Sequence, residues 1–115
     1  MKVDGNWRLV IIESPYAGDR ERNLAYARRA LKDSLDRKEA PIASHLLYTQ
    51  VLQDAIPSDR AMGIAAGVAW YKKADACVVY EDLGISLGMV QGINFAKQMG
   101  LPIEYRKLDV LSENT

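Results

Sequence analysis

Histidine and cysteine each occur only once in the 115 residues, as His45 and Cys77. A single cysteine cannot form an intramolecular disulfide, and one histidine with one cysteine offers no metal-ligand spacing. We therefore expect no disulfide framework, no metal site and no cofactor. Because Cys77 lies within a strongly apolar segment, we interpret it as a thiol packed in the core.

The sequence also lacks an excess of charge of either sign, since 15 lysines and arginines balance 15 aspartates and glutamates. A neutral chain gives no electrostatic basis for binding DNA or RNA. The longest nearly apolar run, residues 61–71, is about half the length of a bilayer span. The N-terminus carries no apolar signal core, so we expect a cytoplasmic protein that binds no membrane.

Strand and helix patterns alternate along the chain. The chain is long enough for one domain, and we expect an ordered core over about residues 7–107 and a frayed tail over 111–115. Apolar, β-branched segments predict strands at 7–12, 41–44, 75–80 and 103–106, whereas 45–52 fits either a strand or a short helix. This alternation predicts a three-layer α/β/α fold with a parallel sheet of four or five strands, similar to flavodoxin and Rossmann folds.

Three helices are predicted between the strands, each with a polar N-cap. They cover 20–37, 58–73 and 86–99, with Asp19, Ser58 and Ser86 as the caps. In the second helix, the apolar residues form one stripe that runs towards Lys73. This stripe consists of Ala61, Ile64, Ala65, Val68 and Ala69. Gly63 and Gly67 beside it either permit close approach of another backbone or are simply tolerated.

Polar residues follow three of the predicted strands, where ligands bind in open parallel sheets. These clusters are residues 14–19, Ser44 with His45, and residues 81–89. The candidate binding residues in or beside them are Ser14, Tyr16, Gly18, Asp19, His45, Ser86, Gly88, Met89 and Gln91.

Each candidate also has a purely structural interpretation. Glu81 and Asp82 act as acid, base or nucleophile, or they belong to a solvated loop. His45 contacts a ligand or transfers a proton, or it is hydrogen-bonded to the backbone. The helix that begins at Ser86 has no acidic residue near its start, so its N-terminus binds an anion or is merely capped.

Several of these segments resemble one known superfamily in their order and spacing. The segments are Ser14-Pro15-Tyr16-Ala17-Gly18-Asp19, residues 74–79, and Leu87-Gly88-Met89 with Gly92 and Ala96 behind it. Together they resemble the nucleoside 2-deoxyribosyltransferase-like superfamily over residues 8–106, particularly small members from bacteria and phages. The resemblance implies a Rossmann-like domain, commonly a homo-oligomer, that binds a nucleoside or nucleotide-like small molecule.

The resemblance also implies cleavage or exchange of an N-glycosidic bond, with a glutamate nucleophile on the helix after Gly-Met and aspartates that hold base or sugar. This sequence departs from that pattern. Val90 follows Met89, Gln91 cannot form a glycosyl ester, and Gly67 stands at the expected second aspartate. Relatives with a later acid are not matched either, because Gly92, Ile93 and Asn94 follow.

Two functions are consistent with these departures, beside a structural or partner-binding role in which Gly63, Gly67 and Trp70 form an exposed helix face. In the first, Asp82 or Glu81 is the acting carboxylate of a hydrolase or transferase, Tyr16 and His45 orient the sugar, and Ser86 and Gly88 hold phosphate. In the second, the protein has lost the catalytic glutamate and binds a nucleotide-like molecule without catalysis.

Overall fold

Four strands form one parallel sheet within residues 6–109, the part of the chain that the computed structural model describes. They are β1 (Arg8–Glu13), β2 (Glu39–Ile42), β3 (Ala76–Tyr80) and β4 (Ile103–Arg106). The order across the sheet is β2-β1-β3-β4. The α/β fold is therefore confirmed, while the tail predicted to fray, 111–115, lies outside the described residues.

Four helices connect the strands, and the three predicted ones begin and end within two residues of the predicted positions. They are α1 (Arg20–Asp36), α2 (Ser44–Leu47), α3 (Pro57–Tyr71) and α4 (Leu87–Gln98). The segment left open between strand and helix is α2 followed by a 3-10 turn, Tyr48–Gln50. The predicted second strand, 41–44, was placed too late, because β2 already begins at Glu39 and Ser44 opens α2.

Two of the three predicted N-caps are confirmed. Asp19 Oδ1 accepts a hydrogen bond from the Arg22 N–H at 3.1 Å. Ser86 Oγ accepts one from the Met89 N–H at 3.3 Å. The prediction for Ser58 was wrong, since α3 begins at Pro57, whose fixed φ suits the first position of a helix.

Both faces of the sheet are covered by helices. Side chains from alternate positions of β1 and β3 pack with Tyr26 and Ala30 of α1 on one face, and with Met89, Ile93 and Ala96 of α4 on the other. Cys77 is fully buried in the second layer, and burial raises the pKa of its thiol to about 12. The prediction that Cys77 packs in the core is confirmed.

The apolar stripe predicted for α3 does not face the core. Ala61, Ile64, Ala65 and Ala69 are exposed, and only Val68 among them is half-buried. The helix instead packs through its glycines. A Cβ added at Gly67 would lie 2.8 Å from Ser44 Oγ, so α3 and α2 approach closely there. This close contact turns the larger apolar side chains outward.

A buried ion pair ties the two edge strands together beneath α1. Glu39 accepts hydrogen bonds from Arg106 at 2.8 and 2.7 Å and from the Ser34 hydroxyl at 2.8 Å. Burial alone would raise the pKa of Glu39, but the hydrogen bonds from Arg106 and Ser34 outweigh it and hold the pKa below its usual range. This network belongs to the folded framework rather than to the site described next.

Candidate functional site

A cavity of about 420 Å³ opens at the carboxyl end of β1. Its walls come from the end of β1, the β1–α1 loop, α2, the segment before α3, α3 and α4. β2 and β3 flank β1 on opposite sides, so the direction of winding reverses at β1, which is where open α/β sheets bind ligands. The volume lies within the usual range for a small-molecule pocket.

Most of the predicted binding residues meet at this cavity. It is lined by Ser14, Tyr16, His45, Ser86, Gly88, Met89 and Gln91. Gly18 and Asp19 do not line it, because they shape the turn into α1. Gly18 adopts φ +97°, which favours glycine, and the Asp19 carboxylate is occupied as the N-cap.

Asp82 and Glu81, the predicted catalytic carboxylates, do not line the cavity. Asp82 accepts hydrogen bonds from the Tyr26 hydroxyl and from the backbone N–H groups of Leu108 and Asp109. Burial would raise the pKa of Asp82, but these hydrogen bonds outweigh it and lower the pKa. Asp82 thus anchors the chain after β4 to α1, and this geometry assigns it no part in chemistry at the cavity.

Glu13, which the sequence interpretation did not select, supplies a carboxylate to the cavity. It ends β1, and its side chain points to the face that carries α3 and α4. The Tyr71 hydroxyl donates a hydrogen bond to Oε2 at 2.8 Å. Burial raises the pKa of Glu13 to about 7, and the hydrogen bond from Tyr71 offsets only part of that effect. None of the ion pairs within residues 6–109 includes Glu13.

The Glu13 carboxylate lies directly against the backbone of α4 at Gly92. A Cβ added at Gly92 would clash with Oε2 and would lie 2.7 Å from Oε1, so any larger residue would displace the carboxylate. The sequence shows a charged residue at the end of a buried strand and a glycine within a helix. Each is visible separately, but only the fold shows that they are in contact.

On the opposite side of β1, Ser14 and His45 form a hydrogen-bonded pair. Ser14 Oγ and His45 Nε2 are 2.7 Å apart, and both residues line the cavity. Burial lowers the pKa of His45 to about 4, so its imidazole is neutral near pH 7. The partner of His45 is thus a side chain, not the backbone group that the structural interpretation suggested.

The rim of the cavity carries one acid–base pair and opens into a smaller recess. Arg60 and Asp54 both line it, with 3.7 Å between Nε and Oδ1. The recess, of about 140 Å³, shares Tyr16 and His45 with the main cavity. Residues 6–109 contain no group of three or more metal-ligating side chains and no helix long and apolar enough to cross a membrane.

Comparison with known families identifies one match, and it covers nearly the whole described chain. A domain of unknown function, DUF7768, matches residues 8–106. The matched region runs from the first residue of β1 to the last residue of β4, and it includes every residue that lines the cavity. No curated protein matches the chain. The chain belongs to the DUF7768 family.

Proposed function

We propose that this protein cleaves the N-glycosidic bond of a nucleoside or nucleotide, with Glu13 as the nucleophile. The observation that carries the proposal is the Glu13 carboxylate, which is half-buried in the cavity wall, contacts Gly92 and has no cationic partner among the described residues. A carboxylate in such surroundings keeps its lone pairs available, and a pKa near 7 leaves about half of it ionised at neutral pH.

The reaction proceeds in two steps. Glu13 Oε1 forms a bond to the anomeric carbon while the carbon–nitrogen bond breaks, and the bonding electron pair leaves with the heterocycle. Water, or the ring N–H of a second heterocycle in a transfer reaction, then attacks the glycosyl ester, releases the carboxylate and gives up its proton to the departed heterocycle. Because Tyr71 hydrogen-bonds Oε2, Oε1 is the oxygen free to attack.

The resemblance to the nucleoside 2-deoxyribosyltransferase-like superfamily supports this reaction class. That resemblance implies an acid on the helix after Gly-Met, and this chain has no acid on α4. Glu13 instead brings a carboxylate from β1 to α4 at Gly92. The expected position of the second acid, Gly67, is likewise covered by another polar group, the Ser44 hydroxyl. In this proposal, the reactive group has moved to a neighbouring strand while the cavity is retained.

Chromatographic detection of free base tests the proposal. The purified protein is incubated with a panel of nucleosides and 5′-nucleotides, beside Glu13→Gln and the matched control Glu81→Gln. We expect the wild type and Glu81→Gln to release base and Glu13→Gln to lose release by at least ~100-fold, since an amide cannot form the ester. Base release that survives in Glu13→Gln would remove Glu13 from the mechanism.

The second candidate function is binding without catalysis, which is favoured by the absence of an acid at both expected positions, where this chain has Val90 and Gly67. Under this alternative, no substrate is cleaved but a nucleotide raises the melting temperature. Ligand at about 100 times its Kd stabilises the folded state by about 2.7 kcal/mol. Absence of both base release and a thermal shift over the panel would exclude both functions.

We further propose a cytoplasmic homo-oligomer. The outward apolar side chains of α3 support association: Met62 is 60% exposed, and Ile64 and Trp70 are more than two-fifths exposed. Light scattering after gel filtration tests this proposal, and Met62→Lys is expected to shift an oligomer toward monomer. A wild-type monomer at micromolar concentration would contradict it.

A further inference from the structure

We propose that His45 is a second catalytic residue, which donates a hydrogen bond from Nδ1 to the departing heterocycle, and that Ser14 positions it by fixing its tautomer. The part that concerns the departing heterocycle rests on the proposed function. The tautomer does not, because it follows from the hydrogen bonds of two side chains at the cavity wall.

One nitrogen of the His45 ring, Nδ1, is accessible from the cavity. Among residues 6–109, the ring makes one hydrogen bond, between Nε2 and Ser14 Oγ, which are 2.7 Å apart. In that same part of the chain, no buried side-chain nitrogen or oxygen lacks a partner. Nδ1 has no protein partner there, so it is open to solvent, and the space that His45 lines is the cavity and its recess.

The hydrogen bond to Ser14 decides which ring nitrogen of His45 carries the N–H hydrogen. A neutral imidazole carries one N–H, and burial without a carboxylate partner keeps His45 neutral. If Nε2 held the hydrogen, the Ser14 hydroxyl would need another acceptor, and Ser14 Oγ has no second partner among the described residues. The Ser14 hydroxyl therefore donates to Nε2, and the hydrogen of the ring lies on Nδ1, facing the cavity.

The Nδ1–H group of His45 stabilises charge on the departing heterocycle. When the carbon–nitrogen bond breaks, negative charge develops on the ring nitrogens and carbonyl oxygens of the heterocycle. A preorganised N–H donor stabilises such charge, and loss of one comparable donor costs about 10²–10³ in rate. The substrate class is thus a glycoside whose heterocycle presents a carbonyl oxygen or an unsubstituted ring nitrogen as acceptor. A substrate without such an acceptor gains nothing from His45.

Nitrogen NMR tests the tautomer without any assay of turnover. His45 is the single histidine of the chain, so protein labelled with ¹⁵N-histidine gives one imidazole to assign. We expect the Nδ1–H tautomer in the wild type near pH 7 and a mixture of tautomers in Ser14→Ala. A wild-type imidazole in the Nε2–H form, or one protonated on both nitrogens near pH 7, would overturn the inference.

Two amide substitutions then test the catalytic role, because asparagine places its N–H near the former Nδ1 and glutamine places its amide near the former Nε2. In the base-release assay, we expect His45→Gln to lose about 10²–10³-fold and His45→Asn to retain ~10-fold more activity than His45→Gln. An active wild type in which His45→Gln matches or exceeds His45→Asn would refute the role of His45 alone. A wild type that releases no base would refute the proposed function, whereas the tautomer is decided by NMR in either case.

Discussion

Replacing Glu13 by glutamine should make the protein more stable at alkaline pH, because the substitution removes a charge that the cavity wall does not stabilise. The pKa of the carboxyl rises from 4.5 to about 7 on folding. A shift of that size corresponds to roughly 3 kcal/mol between the two protonation states. The folded state binds the proton more tightly than the unfolded state, so wild-type stability falls as pH rises from about 4.5 to about 7.

Denaturant unfolding of both proteins at several pH values measures this effect. At pH 5, most folded molecules already carry the proton on Glu13, so the free energies of unfolding should differ by at most about 1 kcal/mol. At pH 8, we expect Glu13→Gln to be more stable by about 3 kcal/mol. Glu81→Gln is the matched control, because it replaces an acid outside the cavity and should show no comparable dependence.

The outcome that would refute this reasoning is specific. If the difference between Glu13→Gln and the wild type is the same at pH 5 and pH 8, the Glu13 carboxyl titrates alike in the folded and unfolded states. In that case burial does not raise its pKa. The carboxylate would then be fully rather than half ionised near pH 7, and the contact with Gly92 would remain.

Three further predictions concern the surroundings of the site and the framework. Gly92→Ala should abolish base release, because the added Cβ displaces the Glu13 carboxylate. The melting temperature should change little, because the higher helix propensity of alanine, worth up to about 1 kcal/mol, offsets the cost of that displacement. Unchanged turnover would contradict the contact between Gly92 and Glu13. Asp82→Asn should destabilise the fold by about 1–2 kcal/mol in urea unfolding, because it weakens the hydrogen bonds that the carboxylate accepts. The folded variant should keep its base-release activity. Loss of activity without loss of stability would show that Asp82 takes part in the reaction. Arg106→Met should cost roughly 3 kcal/mol at pH 7, because it leaves Glu39 buried without its main cation. That cost should shrink as pH falls through the lowered pKa of Glu39, and a cost independent of pH would refute the pairing.

The sequence was sufficient to predict the sheet and most helix boundaries. Buried parallel strands are apolar without alternation, so residues 103–106 were predicted without error, and β1 and β3 to within one residue at either end. Asp19 and Ser86 were identifiable as caps because capping depends on local chemistry alone. The rule that ligands bind at strand ends likewise predicted seven of the residues that line the cavity.

The errors arose where long-range packing decides the outcome. The packing of α3 was not predicted, because the glycine face of the helix packs on α2 and a pattern of apolar residues cannot reveal that small residues will form the contact. Asp82 was selected for its position after β3, but its carboxylate accepts hydrogen bonds from the Tyr26 hydroxyl and from the backbone of the chain after β4. Glu13 was overlooked because nothing local links it to Gly92, which is 79 residues away in sequence.

Trapping of the glycosyl ester tests the central claim most directly. A 2′-deoxy-2′-fluoro nucleoside chosen from the substrates that release base is incubated with the protein, because the fluorine slows breakdown of the ester. Mass spectrometry of the intact protein and its peptides then locates any added sugar. The account predicts one sugar per chain, on the peptide that contains Glu13 and absent from Glu13→Gln. Base release without an adduct, or an adduct on a different peptide, would contradict the assignment of Glu13 as the nucleophile.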